Sequence, residues 1–198
     1  MMNLDVLIFT AHPDDAELSM GGTIAKLTNN NFKVGVIDFT RGELGTRGTA
    51  EIRQQEAFKS AIILKLTVRE NLHIPDGNIQ PTKENLSQII FQIRKYKPKI
   101  IFAPYFNDRH PDHFHVSSLV KEAQFYSGLE KIKTFDNEKQ QQAYRAKRLF
   151  YFMQTYTFEP SFIVDISDYF TIKMKAIQSF ETQFHNPNSI EPETFISQ

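Results

Sequence analysis

The chain has no cysteine among its 198 residues. That absence excludes disulfides, thiolate nucleophiles and thiolate-bound zinc or iron–sulfur centres, so any metal must be held by histidine and carboxylate. Net charge is missing too, since 23 Lys+Arg balance 23 Asp+Glu. Without a basic excess, nothing points to nucleic acid or an anionic membrane as partner. No apolar run approaches the roughly 20 residues needed to span a bilayer, and no basic segment leads into a signal-like apolar core. The expectation is a cytoplasmic protein that binds neither nucleic acid nor membrane. A Gly-x-Gly-x-x-Gly turn is absent after the first apolar run, which leaves a dinucleotide without a phosphate cradle and argues against an oxidoreductase. What is present is the 40% hydrophobic and 23% charged composition of a globular protein, at a length that suits a single domain over 1–198.

The patterning alternates. "LDVLIFTA" (4–11) and "KVGVIDFT" (33–40) read as strands, with a short helical pattern at 21–29 between them. A strand–helix–strand unit of this kind is a right-handed crossover in a parallel sheet. Helical patterns follow at 49–64, 84–96, 112–126 and 169–184, and strands at "LTVREN", "KIIFAPY", "RLFYFMQ" and "SFIVDIS". "IPDGNIQP" reads as a loop, and the polar stretch 138–147 as solvated helix or loop. The fold class predicted is α/β: a Rossmann-like, doubly wound, mostly parallel sheet flanked by helices. The last segment, 185–198, has no periodicity, and the expectation is a mobile tail or a chain truncated at its C-terminus.

Chemistry concentrates at two strand ends. "HPDD" (His12–Asp15) closes the first strand, and "NDRHPDH" (Asn107–His113) follows "KIIFAPY". Ligands bind at the carboxyl edge of an open parallel sheet, where the first and fourth strands are commonly neighbours, so these loops are predicted to face each other. His12, Asp15 and His113 form an N/O set suited to a catalytic zinc with an open position. Asp14 is then placed as general base toward the activated water, and His110 as the group that stabilises an oxyanion or protonates a leaving group, with Asp112 or another carboxylate supporting its charge. The consequence is a hydrolase. Each residue also has a plainer reading: His12 and His110 as surface or capping residues, and Asp112 as a helix cap. Three of the six histidines fall within 110–115, which tips the balance toward a site. His73, His115 and His185 are read as structural, Met20, Met153 and Met174 as core, and "GELGTRGT" (42–49) as a glycine-rich loop whose arginines could meet an anionic substrate.

At these residues the sequence resembles the PIG-L/LmbE-like deacetylases, zinc enzymes that remove an N-acetyl group from glucosamine conjugates. "AHPDD" matches the first family motif and "HPDH" the second. "DFTRGELGTRGTAEIRQQEA" and "YTFEPSFIVDIS" look most like the branch that deacetylates N-acetylglucosaminyl-malate in bacillithiol biosynthesis. The resemblance implies one Zn2+ per subunit on His12, Asp15 and His113, with Asp14 as base and His110 as polarising group. It also places Arg53, Arg109, Arg47 and Gln154 near the substrate, a small-molecule sugar conjugate, and implies a homo-oligomer. Arginine forks match carboxylates, so a malate aglycone suits them; alternatively Arg53 pairs with Glu56 on its own helix. The reaction implied is hydrolysis of a linear amide C–N bond. The runner-up is a deacetylase of another N-acetylglucosamine-containing sugar or amide, and the non-enzymatic alternative is a sugar-binding or structural protein.

Overall fold

The computed structural model describes residues 2–184. His185 and the 185–198 segment lie outside the described residues. Five parallel strands make the main sheet: β1 (Val6–Thr10), β2 (Val34–Asp38), β3 (Val68–Asn71), β4 (Ile100–Pro104) and β7 (Arg148–Phe152), in the order β3-β2-β1-β4-β7. Val6 pairs with Val34 on one side and Ile100 on the other, so β1 and β4 end side by side. The order reverses at β1, which is the doubly wound pattern expected.

β1 and β2 are buried along their whole length. Alternate residues serve opposite faces, as the pleat requires. Leu7, Phe9 and Ile37 pack with Ile89, Ile93, Val116 and Val120 under α3 (Lys83–Tyr96) and α4 (Pro111–Tyr126). Val6, Ile8, Val34 and Val36 pack with Ala16, Met20, Ile24 and Ala176 under α1 (Asp15–Asn29) and α5 (Phe170–Gln178). α2 (Ala50–Ile63) is capped by the Thr49 hydroxyl, which accepts from the Ile52 amide. α3 is capped by Thr82 in the same way and ends at Lys97, in the left-handed region ahead of Pro98.

Four sequence expectations change. α1 starts at Asp15, six residues before the helical pattern begins, because Gly21 and Gly22 break the apolar periodicity. Gly22 is there for contact: a Cβ would come within 2.4 Å of Ile166 Cδ1. "SFIVDIS" is not a strand. Its alternating side chains pack instead of pairing, with Phe162 edge-on to Phe150 at 5.2 Å, Ile166 on α1, and the Asp165 carbonyl accepting from Lys26 Nζ at 2.8 Å. The segment therefore spans a groove of about 590 Å³ beside β7 and, among the described residues, leaves the sheet edge unpaired there. The predicted helix 169–184 divides into a 3₁₀ turn (Ser167–Tyr169), α5 and α6 (Glu181–Phe184), with the fully buried Phe180 at the break. The polar stretch near 138 begins in a small hairpin of β5 (Phe135–Asp136) and β6 (Lys139–Gln140), turned by Asn137 and Glu138 at positive φ. Among the described residues, no helix is long and apolar enough to cross a membrane.

Candidate metal centre

All five strands run the same way, so the loops after them share one edge of the sheet. The two histidine loops meet there as predicted: the His12 and His110 rings lie 4.7 Å apart, and His12 and His113 5.6 Å apart. Donor atoms of His12, Asp15 and His113 lie within 4.8 Å of one another, as do those of His12, His110 and Asp112.

The hydrogen bonds distinguish these two sets. His113 Nδ1 is 3.0 Å from Asp108 Oδ1, while its buried Nε2 has no hydrogen-bond partner among the described residues and sits 3.3 Å from Asp15 Oδ1. His12 Nε2 is 3.1 Å from Asp76 Oδ1 and 3.4 Å from Asp112 Oδ2, and its Nδ1 is 3.6 Å from Asp15 Oδ2. Each imidazole therefore gives one nitrogen to a carboxylate and turns the other toward Asp15. That is how ligating histidines are oriented, the outer carboxylate fixing the tautomer. In the second set His110 Nδ1 already accepts from the Asp112 amide at 3.2 Å, and Asp112 is engaged by His12 and by the Gly77 amide. The residues that fit a divalent cation are His12, Asp15 and His113.

The charges agree. Burial disfavours a charged His12, but the Asp112, Asp15 and Asp76 carboxylates outweigh it and hold its pKa well above the ordinary value. His113 shows the same contest, with Asp15 and Asp108 raising it. Burial would raise Asp15, but the two imidazoles pull it well below the usual carboxylate range. Carboxylates crowded around two imidazole nitrogens make a pocket that favours added positive charge.

Asp14 and Asp15 divide as a tight turn demands. Asp14 sits at φ 136°, ψ −24°, a region that costs a non-glycine residue about 1–3 kcal/mol and persists where the surroundings over-determine it. Although it occupies the N-cap of α1, its carboxylate caps nothing. Instead Asp14 Oδ2 accepts from Arg53 Nη2 at 3.1 Å. Burial pushes the Asp14 carboxyl up to about 7, against the opposing pull of Arg53. A buried carboxyl poised there suits a general base.

The substrate-side residues are distributed differently. Arg53 is 5% exposed, and its guanidinium also donates to the Gly42 and Pro13 carbonyls, both at 2.9 Å. Glu56, its alternative partner, instead accepts from the Thr182 amide and hydroxyl. Gly42 stands at φ +67°, and a Cβ there would lie 1.8 Å from Arg53 Nη1. Gln154 Nε2 donates to Asp15 Oδ1 at 2.8 Å, so Gln154 reaches the centre itself. Arg109 is exposed in the loop before His110, and the Arg47 carbonyl accepts from Gln183. His110 departs from expectation in its support: the Asp112 carboxylate turns to His12. Burial and the neighbouring imidazoles lower the His110 pKa, which favours its neutral form. Sequence reasoning missed Asp76 and Asp108. Asp108 stood inside a quoted motif and Asp76 in a segment read only as loop; no local pattern marks either as a histidine partner.

The family model for GlcNAc-PI de-N-acetylase, PIG-L, matches residues 7–124. A diacetylchitobiose deacetylase of Thermococcus kodakarensis is 32% identical over 191 residues, covering 90% of this chain and 70% of the relative. The conserved protein TT1542 from Thermus thermophilus superposes with a TM-score of 0.85 at 36% identity, over 91% of this chain and 80% of that one. The N,N'-diacetylchitobiose deacetylase from Pyrococcus horikoshii, solved with an inhibitor, gives 0.80 at 30% identity, over 90% and 70%.

Proposed function

This chain belongs to the PIG-L family of de-N-acetylases, and on that premise we propose that it hydrolyses the N-acetyl group of an N-acetylglucosamine-containing sugar, with a short chitobiose-like saccharide as substrate and zinc as metal. The observation that carries this reading is the buried His113 Nε2, without a hydrogen-bond partner among the described residues and facing Asp15 and His12, next to a base-poised Asp14.

His12, Asp15 and His113 would hold the cation. When bound, such a cation polarises an amide carbonyl and acidifies water. Asp14, ionised and oriented by Arg53, takes the proton from the attacking water. His110 accepts the Asp112 amide at Nδ1, which leaves its proton on Nε2 as a donor for the oxyanion that forms at the carbonyl. Asp14, having gained a proton, returns it to the departing amine, and acetate is released.

Two findings favour the saccharide over N-acetylglucosaminyl-malate. The Thermococcus and Pyrococcus relatives are named for deacetylation of diacetylchitobiose. Arg53, one of the arginines that suggested a carboxylate-bearing aglycone, is committed to Asp14, Pro13 and Gly42. We place the enzyme in the cytoplasm as a homo-oligomer, which light scattering would check.

The deciding experiment compares acetate release from N,N'-diacetylchitobiose, N-acetylglucosamine and N-acetylglucosaminyl-malate by chelator-stripped and zinc-reloaded protein. Zinc-dependent turnover highest on the disaccharide supports the proposal. Preference for the malate conjugate would return the substrate to the bacillithiol reading, and no turnover of any of them with zinc bound would refute the proposed N-acetylglucosamine substrate.

A further inference from the structure

Both histidines of the metal set lean on a carboxylate, and both carboxylates have a second oxygen. Asp76 comes from the loop after β3. Its Oδ1 is 3.1 Å from His12 Nε2, and its Oδ2 accepts from the Leu44 amide at 3.0 Å. Leu44 lies in the glycine-rich loop after β2, whose Glu43 in turn accepts from the Asp76 amide at 3.1 Å. Asp108 comes from the loop after β4. Its Oδ1 is 3.0 Å from His113 Nδ1, and its Oδ2 accepts from the Thr155 amide at 3.0 Å. Thr155 lies in the loop after β7, next to Gln154. The two carboxylate side chains are 6% and 2% exposed, so water does not compete effectively for these bonds.

The same construction thus occurs twice, once on the β2/β3 side and once on the β4/β7 side of the metal set. One oxygen fixes an imidazole; the other fixes the backbone of a neighbouring loop at the same sheet edge. From this geometry we infer that Asp76 and Asp108 are positioning residues that tie the two substrate-facing loops, 42–45 and 153–156, separately to the two metal-binding imidazoles. A cation on His12 and His113 holds both rings in place, and through these carboxylates it steadies both walls. The metal then does more than chemistry: it sets the shape of the sugar pocket. This inference rests on the metal reading above.

Asparagine tests it nearly isosterically. An Asn has one acceptor oxygen and a donor NH2, so it cannot accept from both the imidazole N–H and the loop amide. Either the loop is released, or the Asn NH2 donates to the outer imidazole nitrogen and the ring proton moves to the inner one, which then cannot ligate. The measurement is zinc binding by calorimetry, followed by residue-resolved amide hydrogen exchange of the whole chain, stripped and zinc-loaded. In the wild type, zinc is expected to slow exchange of both the Leu44 and Thr155 amides. In Asp76→Asn the Leu44 response is lost while that of Thr155 persists; in Asp108→Asn the pattern reverses. Each variant also loses about 10–100-fold in zinc affinity, the usual cost of removing an outer carboxylate. A purely structural role would not produce this crossed pattern. If the wild type binds no zinc, the metal reading fails and the inference falls with it. If zinc binds but neither amide responds, or a variant that calorimetry shows to be zinc-loaded silences both loops together, the connectors are refuted and the metal reading stands. The wild-type comparison alone decides the matter should a variant fail to fold.

Discussion

Replacing Arg53 with methionine separates two roles for that residue. The side chain keeps its volume and loses its charge, so the buried Asp14 carboxylate faces the Pro13 turn without its cation. An opposite charge in contact depresses a carboxyl by about 1–3 units, so its removal lifts Asp14 further above the value of about 7 that burial imposes. The base must be ionised to act, so activity on the acid side falls tenfold per unit. At neutral pH the loss in kcat/KM is about 10- to 1,000-fold, and it is recovered as pH rises. A bound cation lowers the starting point by favouring the carboxylate but leaves the direction unchanged. The assay is acetate release from N,N'-diacetylchitobiose by zinc-loaded wild type and Arg53→Met between pH 5 and pH 10. A rise in KM with an unmoved acid limb would show that Arg53 binds substrate and would refute the argument from Asp14.

The same side chains set further expectations. Gly42→Ala places a Cβ where Arg53 Nη1 now lies, at a φ that L-residues resist, so its pH profile should shift in the same direction as that of Arg53→Met. Asp14→Ala should keep zinc, measured by metal analysis, while losing about 10²–10⁴-fold in turnover, whereas His113→Ala should lose the zinc itself. In the metal-free protein Asp14 alone makes stability fall as pH rises: its folded pKa of about 7 exceeds the unfolded value of 3.8, so the folded chain holds the extra proton between those limits. That contribution is about 4 kcal/mol, fully felt above pH 7 and absent below pH 4, and removed in Asp14→Asn. Arg94 is buried, has no carboxylate partner among the described residues, and donates to the carbonyls of Ser127, Leu129 and Ile132 and to the Thr134 hydroxyl, pinning the end of α4. Arg94→Ala should leave those acceptors unpaired, cost about 3 kcal/mol and lower Tm by about 6–12 °C in calorimetry.

By itself the sequence determined which polar loops close the buried strands, and those are the loops that meet. An all-apolar strand followed by His-Pro-Asp-Asp, and a second ending at Asn-Asp-Arg-His-Pro-Asp-His, have strong local signals because parallel central strands are buried on both faces and their loops carry the polar groups. The absence of cysteine leaves histidine nitrogen and carboxylate oxygen as the donors for any metal. Local pattern failed where packing overrode it. Gly21 and Gly22 disguised the middle of α1 because Lys173 and Ile166 need the space, and "SFIVDIS" alternates like a strand yet spends its side chains on α1 and β7. Only the tertiary structure decided which partner each polar side chain has. Asp76 and His12 are 64 residues apart, and Arg53 and Asp14 are 39 apart. Hydrogen bonds of that separation are set by the strand order β3-β2-β1-β4-β7, which gathers five loops at one edge, and no periodicity in the chain records them.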